Sequence, residues 1–401
     1  MKSIILALAL FAFTAAGVAF YPAYQSIGAI KPTTQTTPAG NPLNTQHSSI
    51  EVVFVLDTTG SMSGLIQAAK EKIWSIASTM ASAQSAPEIS MGLVAYRDRG
   101  DAYVTRVLDL SDDLDSMYAS LMDFQADGGG DGPESVNQAL YDAVHNVSWS
   151  QNQNTYKAVF LVGDAPPHMD YADDVRYPET LAAAMKKGIV VNAIQCGQNQ
   201  VTTTGWQQIA QLGQGRYFQV AQAGNAVAIA TPFDKKIAVL SEKLDHTRLY
   251  YGDAEEKEKQ QSKVAATDKL HATSSFASRA RRAAFNASKS GETNFLGEGE
   301  LVDDIASGRV ELSDIDTDQL PESIKAMAPA QQKALIEETA HRRDELQRQI
   351  KDLSEQRAGF LKKKVEETGG AGDSLDEKIY SAVREQAGKK GLRYEADAAA
   401  Y

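Results

Sequence analysis

Apolar residues follow two rhythms along this chain, and the change of rhythm divides it. Between Ser49 and Asp245, short unbroken apolar runs alternate with stretches of helical spacing. Ile50 to Leu56 (IEVVFVL) is a continuous run, the mark of a strand buried on both faces of a parallel sheet. Ile66 to Ala83 has helical spacing, with Ile66, Ala69, Ile73, Ile76 and Met80 on one side. Ile89 to Tyr96 reads as a strand, followed by the polar tip RDRGD and a return strand, Tyr103 to Leu108, so the pair predicts a hairpin at a sheet edge. Helices are expected at Leu114 to Phe124 and Ser135 to Val147, and strands at Tyr156 to Val162 and Ile189 to Ile194. Trp206 to Leu212 then predicts a helix, Arg216 to Val220 a last strand, and Ala223 to about Leu244 a closing helix. This alternation predicts an α/β fold, a doubly wound and mostly parallel sheet over residues 49–246. Ligands of such sheets collect at the carboxyl ends of the strands.

After residue 246 the runs disappear and charged helical patterns replace them. Gly252 to Ser290 reads as one helix with a thin apolar side, Gly291 to Glu300 as a break, and Leu301 to Pro321 as a short segment with acidic turns. Pro329 to Glu367 is a long helical pattern in which Ile336, Leu346, Ile350, Leu353 and Phe360 fall near heptad spacing. Arg343 and Arg357 occupy seam positions, which favours a helix packed on its neighbours or a weak coiled coil over a clean one. Gly369 to Gly372 is a break, and Leu375 to Gln386 a final amphipathic helix. Residues 247–401 are thus a largely α-helical extension, suited to a stalk, a partner surface or self-association.

The N-terminus changes the setting. Met1 and Lys2 precede the apolar run Ile4 to Phe20, and Gly17 and Ala19 stand where a signal peptidase would cut after Ala19. Residues 1–19 read as a secretory signal, with an uncleaved anchor as the rival, and the protein is expected to be exported, periplasmic or extracellular. Residues 20–48, rich in Pro, Thr, Gln, Asn, Ser and Gly, read as a flexible linker. Cys196 is the single cysteine, so no intramolecular disulfide can form, and its place at the end of an apolar run predicts a buried, inert thiol. The formal net charge of −12 and pI near 5.1 give no footprint for a phosphate backbone and exclude nucleic acid as a partner.

Candidate chemistry gathers at strand ends. The first strand runs into Asp57-Thr58-Thr59-Gly60-Ser61, where a tight turn can aim Asp57, Thr59 and Ser61 at one point. A later strand runs into Gly163-Asp164-Ala165-Pro166-Pro167-His168, which brings Asp164 to the same sheet edge. Between them lies the glycine-rich acidic loop from Asp127 to Glu134. Hard oxygen ligands of this kind suit Mg²⁺, Mn²⁺ or Ca²⁺. The tripeptide Arg99-Gly100-Asp101 on the hairpin tip is read as a chance match, and His168 as a capping or packing residue.

Together, DTTGSMSG, GGGDGPE and LVGDAPPH resemble the von Willebrand factor type A domain over Ser49 to Asp245, with the middle and last motifs nearest the integrin β-subunit type and bacterial relatives. The resemblance implies a metal-ion-dependent adhesion site in which Asp57, Thr59 and Ser61 are ligands, Glu134 or Asp131 fills the middle position, and Asp164 contributes directly or through water. It also implies a second site, for Ca²⁺, built from Asp98, Asp131, the carbonyl of Pro133 and Glu134, although Gly129 stands where an asparagine ligand is expected. A third adjacent site would need acids where Gly64 and Leu65 stand. Neutral hydroxyl ligands leave an open cation that favours an Asp or Glu from a protein partner. The expected function is therefore an exported, metal-dependent interaction or adhesion module rather than an enzyme. The alternatives are a metal-dependent hydrolase or processing factor, and a structural envelope protein acting through its helical tail.

Overall fold

A computed structural model describes residues 48–130, 132–224, 229–367 and 374–394. The expected signal, the expected linker up to residue 47, the ligand candidate Asp131 and the expected break at Gly369 to Gly372 lie outside the described residues. The first half is built from β1 (Ser49–Asp57), a 3-10 turn (Gly60–Met62), α1 (Ser63–Ala81), β2 (Glu88–Tyr96), β3 (Thr105–Ser111), α2 (Leu114–Leu121) and α3 (Val136–His145). There follow β4 (Tyr156–Gly163), α4 (Tyr177–Lys186), β5 (Ile189–Cys196), α5 (Gln200–Leu212) and β6 (Gln214–Val220). The strands form one sheet in the order β3-β2-β1-β4-β5-β6. All neighbours are parallel except β2 and β3, the expected edge hairpin. The sheet is a doubly wound α/β layer, as the alternation of runs predicts.

β1 shows why its apolar run is unbroken. Ile50, Val52, Phe54 and Leu56 enter one core with α1 and α2, while Val53 and Val55 enter the other with α3, α4 and α5. Each such side chain fully buried contributes roughly 1.5–3 kcal/mol. The helix α4 goes unread in the sequence because its buried stripe is only Tyr177, Thr180, Leu181 and Ala184.

The rest of the chain is helical: α6 (Asp234–Asp245), α7 (Ala254–Thr273), α8 (Phe276–Asn286), α9 (Glu292–Leu296), α10 (Leu301–Ala306), α11 (Glu322–Lys325), α12 (Pro329–Glu367) and α13 (Leu375–Gly388). The closing helix expected from Ala223 begins only at Asp234. Gly224 at φ +72° turns the chain out of the strand, and the Asp234 carboxylate is met by the backbone N–H and hydroxyl of Thr231, 2.7 and 2.9 Å away. The single helix expected from Gly252 to Ser290 is two, because Ser275 caps a new start by accepting from the N–H of Ser278. The arginines in the seam of α12 are its polar anchors. Arg343 pairs with Glu300 through two bonds of 2.7 and 2.8 Å, and Arg357 with Asp234 at 2.7 Å. Leu346 and Ile350 pack with α6, α8 and α9, so this stripe is used within the chain.

The extension does not stand apart from the sheet. Leu375, Ile379, Ala382, Val383 and Ala387 of α13 are buried in the same core as β1 and α1. Tyr156 of β4 donates to Gln386 at 2.8 Å, whose amide donates to Asn192 of β5 at 2.7 Å. Among the described residues, no helix is long and apolar enough to cross a membrane.

Candidate functional site

The carboxyl ends of β1, β4 and β6 and the loop before α3 meet at one edge. β1 delivers Asp57, and the turn after it folds back onto that carboxylate. Asp57 Oδ1 accepts from the N–H of Thr59 at 2.9 Å and from its hydroxyl at 2.7 Å. The oxygens of Thr59 and Ser61 stand 3.4 Å apart, so the three residues of the motif share one small space. Thr58 points the other way, its hydroxyl bonded to the Tyr96 carbonyl and the Tyr103 hydroxyl.

The glycine-rich loop closes over this turn. Gly60 N–H donates to the carbonyl of Gly128, and Asp127 N–H to that of Thr58. Gly129 has φ +77°, and a Cβ there would lie 3.1 Å from Thr59 Cβ and 3.3 Å from Glu134 Oε1, so this position has room for glycine and little else. The hairpin tripeptide is tied to this loop and to the segment after β4. Asp101 accepts from Gly129 N–H at 3.0 Å, while Arg99 bonds Asp173 and Asp174 and stacks on the Tyr171 ring.

Glu134 is pinned by its backbone, with its N–H on the Pro166 carbonyl and its carbonyl receiving the N–H of His168. Its side chain turns inward beside Asp57. At the exit of β4, Asp164 Oδ2 accepts from the Gln222 amide at 2.6 Å, and its carbonyl from the Thr202 hydroxyl at 2.9 Å. The structure thus brings Asp57, Thr59, Ser61, Glu134 and Asp164 to one edge. Asp57 Oδ2 and Glu134 Oε2 are both buried with no hydrogen-bond partner among the described residues.

The electrostatics follow from that shortage. Burial pushes the Asp57 carboxyl up to about 7, against hydrogen bonds from Thr59, and the charge of Asp164 adds to the rise. Burial also pushes Glu134 up to about 9, with Asp57, Asp98, Asp101 and Asp164 all acting in the same direction. Gly163 completes the packing. A Cβ there would lie 2.4 Å from the Tyr96 hydroxyl and 2.9 Å from Asp57 Oδ2.

Of the residues named for a second site, Asp131 lies outside the described residues. Asp98 accepts from Ser135 at 2.8 Å and from Tyr171 at 2.9 Å, with His168 Nε2 at 3.3 Å. Both of its oxygens therefore already receive protein hydrogens. Pro133 lies on the loop beside Glu134. His168 is a buried packing residue, stacked on Tyr171 at 4.0 Å and bonded through Nδ1 to Asp170. Gly64 and Leu65 carry no acid and pack against Ala223 and the core. Cys196 is buried.

Among the described residues, no three His, Cys, Asp or Glu side chains are grouped so as to hold a metal ion. A cation at this edge therefore needs the Thr59 and Ser61 hydroxyls as well as the carboxylates. Thr59 spends only its proton on Asp57, so its oxygen lone pairs remain for a cation. Sequence reasoning missed Gln222 and Tyr96. Gln222 follows a strand end at the same edge, a signal that could have marked it. Tyr96 is indistinguishable in sequence from any other core position of β2.

Residues 51–232 match the family described as von Willebrand factor A domain. The alpha-protein kinase vwkA of Dictyostelium discoideum is 27% identical over 121 residues, 30% of this chain and 19% of that protein, so the match spans about a fifth of that relative. Proximal thread matrix protein 1 from the mussel byssus is 16% identical, with TM-score 0.33 over 44% of this chain and 42% of that one. The SpRpn10 VWA domain is 13% identical, with TM-score 0.34 over 45% of this chain and 91% of that one.

Proposed function

Taking residues 51–232 as the von Willebrand factor A domain that their match identifies, we propose that the protein is an exported, metal-dependent interaction module and not an enzyme. One divalent cation, Mg²⁺, Mn²⁺ or Ca²⁺, binds among Asp57, Thr59, Ser61, Glu134 and Asp164, with Asp131 on the same loop, and takes an Asp or Glu of a protein partner as a further ligand. The observation that carries this reading is the pair of buried carboxylate oxygens, Asp57 Oδ2 and Glu134 Oε2, left without a donor. Buried charge of this kind is costly unless paired or coordinated, and hard oxygens with hydroxyls suit these cations. The cation supplies the positive charge that the pocket lacks. The residues of this chain position it: Thr59 orients Asp57, Gln222 holds Asp164, and Gly129 lets the loop close over Thr59.

The orphaned pair Asp57 Oδ2 and Glu134 Oε2 marks one cation, and a second, Ca²⁺, would use Asp98, Asp131, the carbonyl of Pro133 and Glu134. Export rests on the N-terminal run Ile4 to Phe20. Self-association through the tail is not included, because the stripe of α12 faces its own neighbours.

The test is calorimetric titration of EDTA-stripped full-length protein with Mg²⁺, Mn²⁺ and Ca²⁺, beside Asp57→Ala. The wild type is expected to bind one cation, and the variant to lose at least about tenfold in affinity, roughly 1.4 kcal/mol. Absence of cation binding at millimolar concentration overturns the proposal. Cation-dependent turnover of ester, phosphate or peptide substrates, lost in Asp57→Ala, would establish the hydrolase alternative instead.

A further inference from the structure

A guanidinium taken out of water needs a counter-charge and acceptors for its N–H groups. Arg97, Arg279, Arg281, Arg282, Arg343 and Arg357 are all buried. Arg97 has Asp127 at 3.6 Å, Arg279 has Glu242 at 2.9 Å, and Arg282, Arg343 and Arg357 have Asp245, Glu300 and Asp234, each at 2.7 Å. Arg281, on α8, is the exception among the described residues. It is 3% exposed, and its Nε and Nη1 are buried with no hydrogen-bond partner. Charges on Arg357 of α12, Asp376 of α13, Asp234 of α6 and Glu71 of α1 act on it, and burial and Arg357 push it down to about 10. Each of the acids is engaged elsewhere: Asp234 with Arg357, Asp376 with Lys72 at 2.8 Å, and Glu71 with the Ser275 hydroxyl at 2.8 Å. Asp376 shows the complementary shortage. Its Oδ2 takes Lys72, while its Oδ1 is buried with no hydrogen-bond partner among the described residues. Burial acts to raise that carboxyl, but Lys72 and then Ser374 lower it, so it is an ionised acceptor.

We propose that the junction of α1, α8 and α13 binds one hydrogen phosphate ion, whose oxygens accept from Arg281 and whose hydroxyl donates to Asp376 Oδ1. The unused N–H groups of a guanidinium match an oxyanion, and such charge-assisted bonds are the strong ones. The unused carboxylate oxygen requires a donor, which hydrogen phosphate carries near neutral pH and sulfate does not. A buried water could also give and accept a hydrogen, but it brings no charge and leaves Arg281 without a counter-ion. The Glu71–Ser275 contact is exposed, which gives the ion a short way in from that side. Bound there, the ion joins α8 to the first turn of α13, beside the Lys72–Asp376 pair that ties α13 to α1. The site uses none of the residues at the sheet edge and stands apart from the cation reading.

The test uses full-length protein in EDTA, so that no metal at the sheet edge carries phosphate in with it. Equilibrium dialysis of the wild type against radiolabelled inorganic phosphate should show one ion bound per chain at millimolar concentration, with sulfate competing at least about tenfold more weakly. Arg281→Met should take up no phosphate. In chloride it should melt no lower than the wild type, because it removes a buried charge that has no partner. Saturating phosphate should raise the melting temperature of the wild type by about 2–4 °C more than that of Arg281→Met. Reading the difference removes the general stabilisation that phosphate and sulfate give any protein. Absence of phosphate uptake by the wild type overturns the inference without recourse to a variant. Equal uptake by Arg281→Met, or competition by sulfate as strong as by phosphate, overturns it too. So does a variant that melts well below the wild type in chloride, since Arg281 would then be satisfied within the fold. None of these outcomes bears on cation binding at Asp57.

Discussion

Buried carboxylates are treated in opposite ways at the sheet edge and in the seam between the sheet and the helical region. In the seam, Arg282 lies between Asp115 and Asp245, bonded to them at 2.6 and 2.7 Å. Burial would raise the Asp245 carboxyl, but the charges of Arg282 and Arg248 and the bond from His271 outweigh it and hold it far below the usual range. Asp115 is likewise lowered, its burial outweighed by Arg282 and then Lys263. At the edge, Asp57 and Glu134 are buried among other acids and are raised. Burial is the same in both places, and the presence of a cation decides the sign. The seam carries its cations in its own sequence, whereas among the described residues no cation is bonded to Asp57 or Glu134.

The largest effect should come from removing a cation where the chain supplies one. Arg282→Met removes the cation bonded to both buried carboxylates, leaving Asp245 only Arg248 and His271 and Asp115 no bonded cation, and should destabilise the protein by about 3–5 kcal/mol in urea unfolding. Asp57→Asn in EDTA should be neutral or stabilising, because it removes charge from a place with no compensation. A loss in Asp57→Asn as large as in Arg282→Met would erase the distinction between the two regions.

Acidity separates them next. Asp115 and Asp245 have folded values below an unfolded value near 4, so their stabilisation is complete above about pH 4 and is lost as pH falls further. Asp57 and Glu134 have raised values, so without a cation they cost nothing below about pH 4. Their penalty grows as pH rises towards about 7 and about 9. Thermal melts in EDTA should therefore show stability falling between about pH 5 and 9, and saturating Mg²⁺ or Mn²⁺ should flatten that slope while leaving the acid limb unchanged. A slope indifferent to the cation would break the account of the edge.

Much of the edge was legible in the sequence because it is local. An apolar run ending in Asp57, with hydroxyls at Thr59 and Ser61 around Gly60, encodes a strand, a turn and a convergence within a few residues. Asp164 was legible for the same reason, by its position at the end of β4. Gln222 was not read, because its bond to Asp164 crosses 58 positions and its place after a strand end was the only local sign of it. The helical region was less legible still. Arg343 and Arg357 looked like faults in a heptad, and their partners Glu300 and Asp234 lie 43 and 123 positions away. The return of α13 to the sheet depends on packing against β1 and α1 from the far end of the chain. Periodicity showed that Leu375 to Gln386 has an apolar face, but not what covers it.

The smallest expected effect concerns how α13 is held. Its buried ties are the Gln386 amide between Tyr156 and Asn192, and Lys72 on Asp376 at 2.8 Å. Its exposed tie is Arg216 on Glu385 at 3.0 Å, with side chains 44% and 52% exposed. Solvent and salt screen such a pair, and holding two long side chains in one geometry offsets most of the remaining attraction. Arg216→Ala should therefore change unfolding stability by less than about 1 kcal/mol, and by less again in high salt. A larger loss would mean that an exposed pair holds α13 on the sheet, and the rule that only buried carboxylates need a matched cation would then be too narrow.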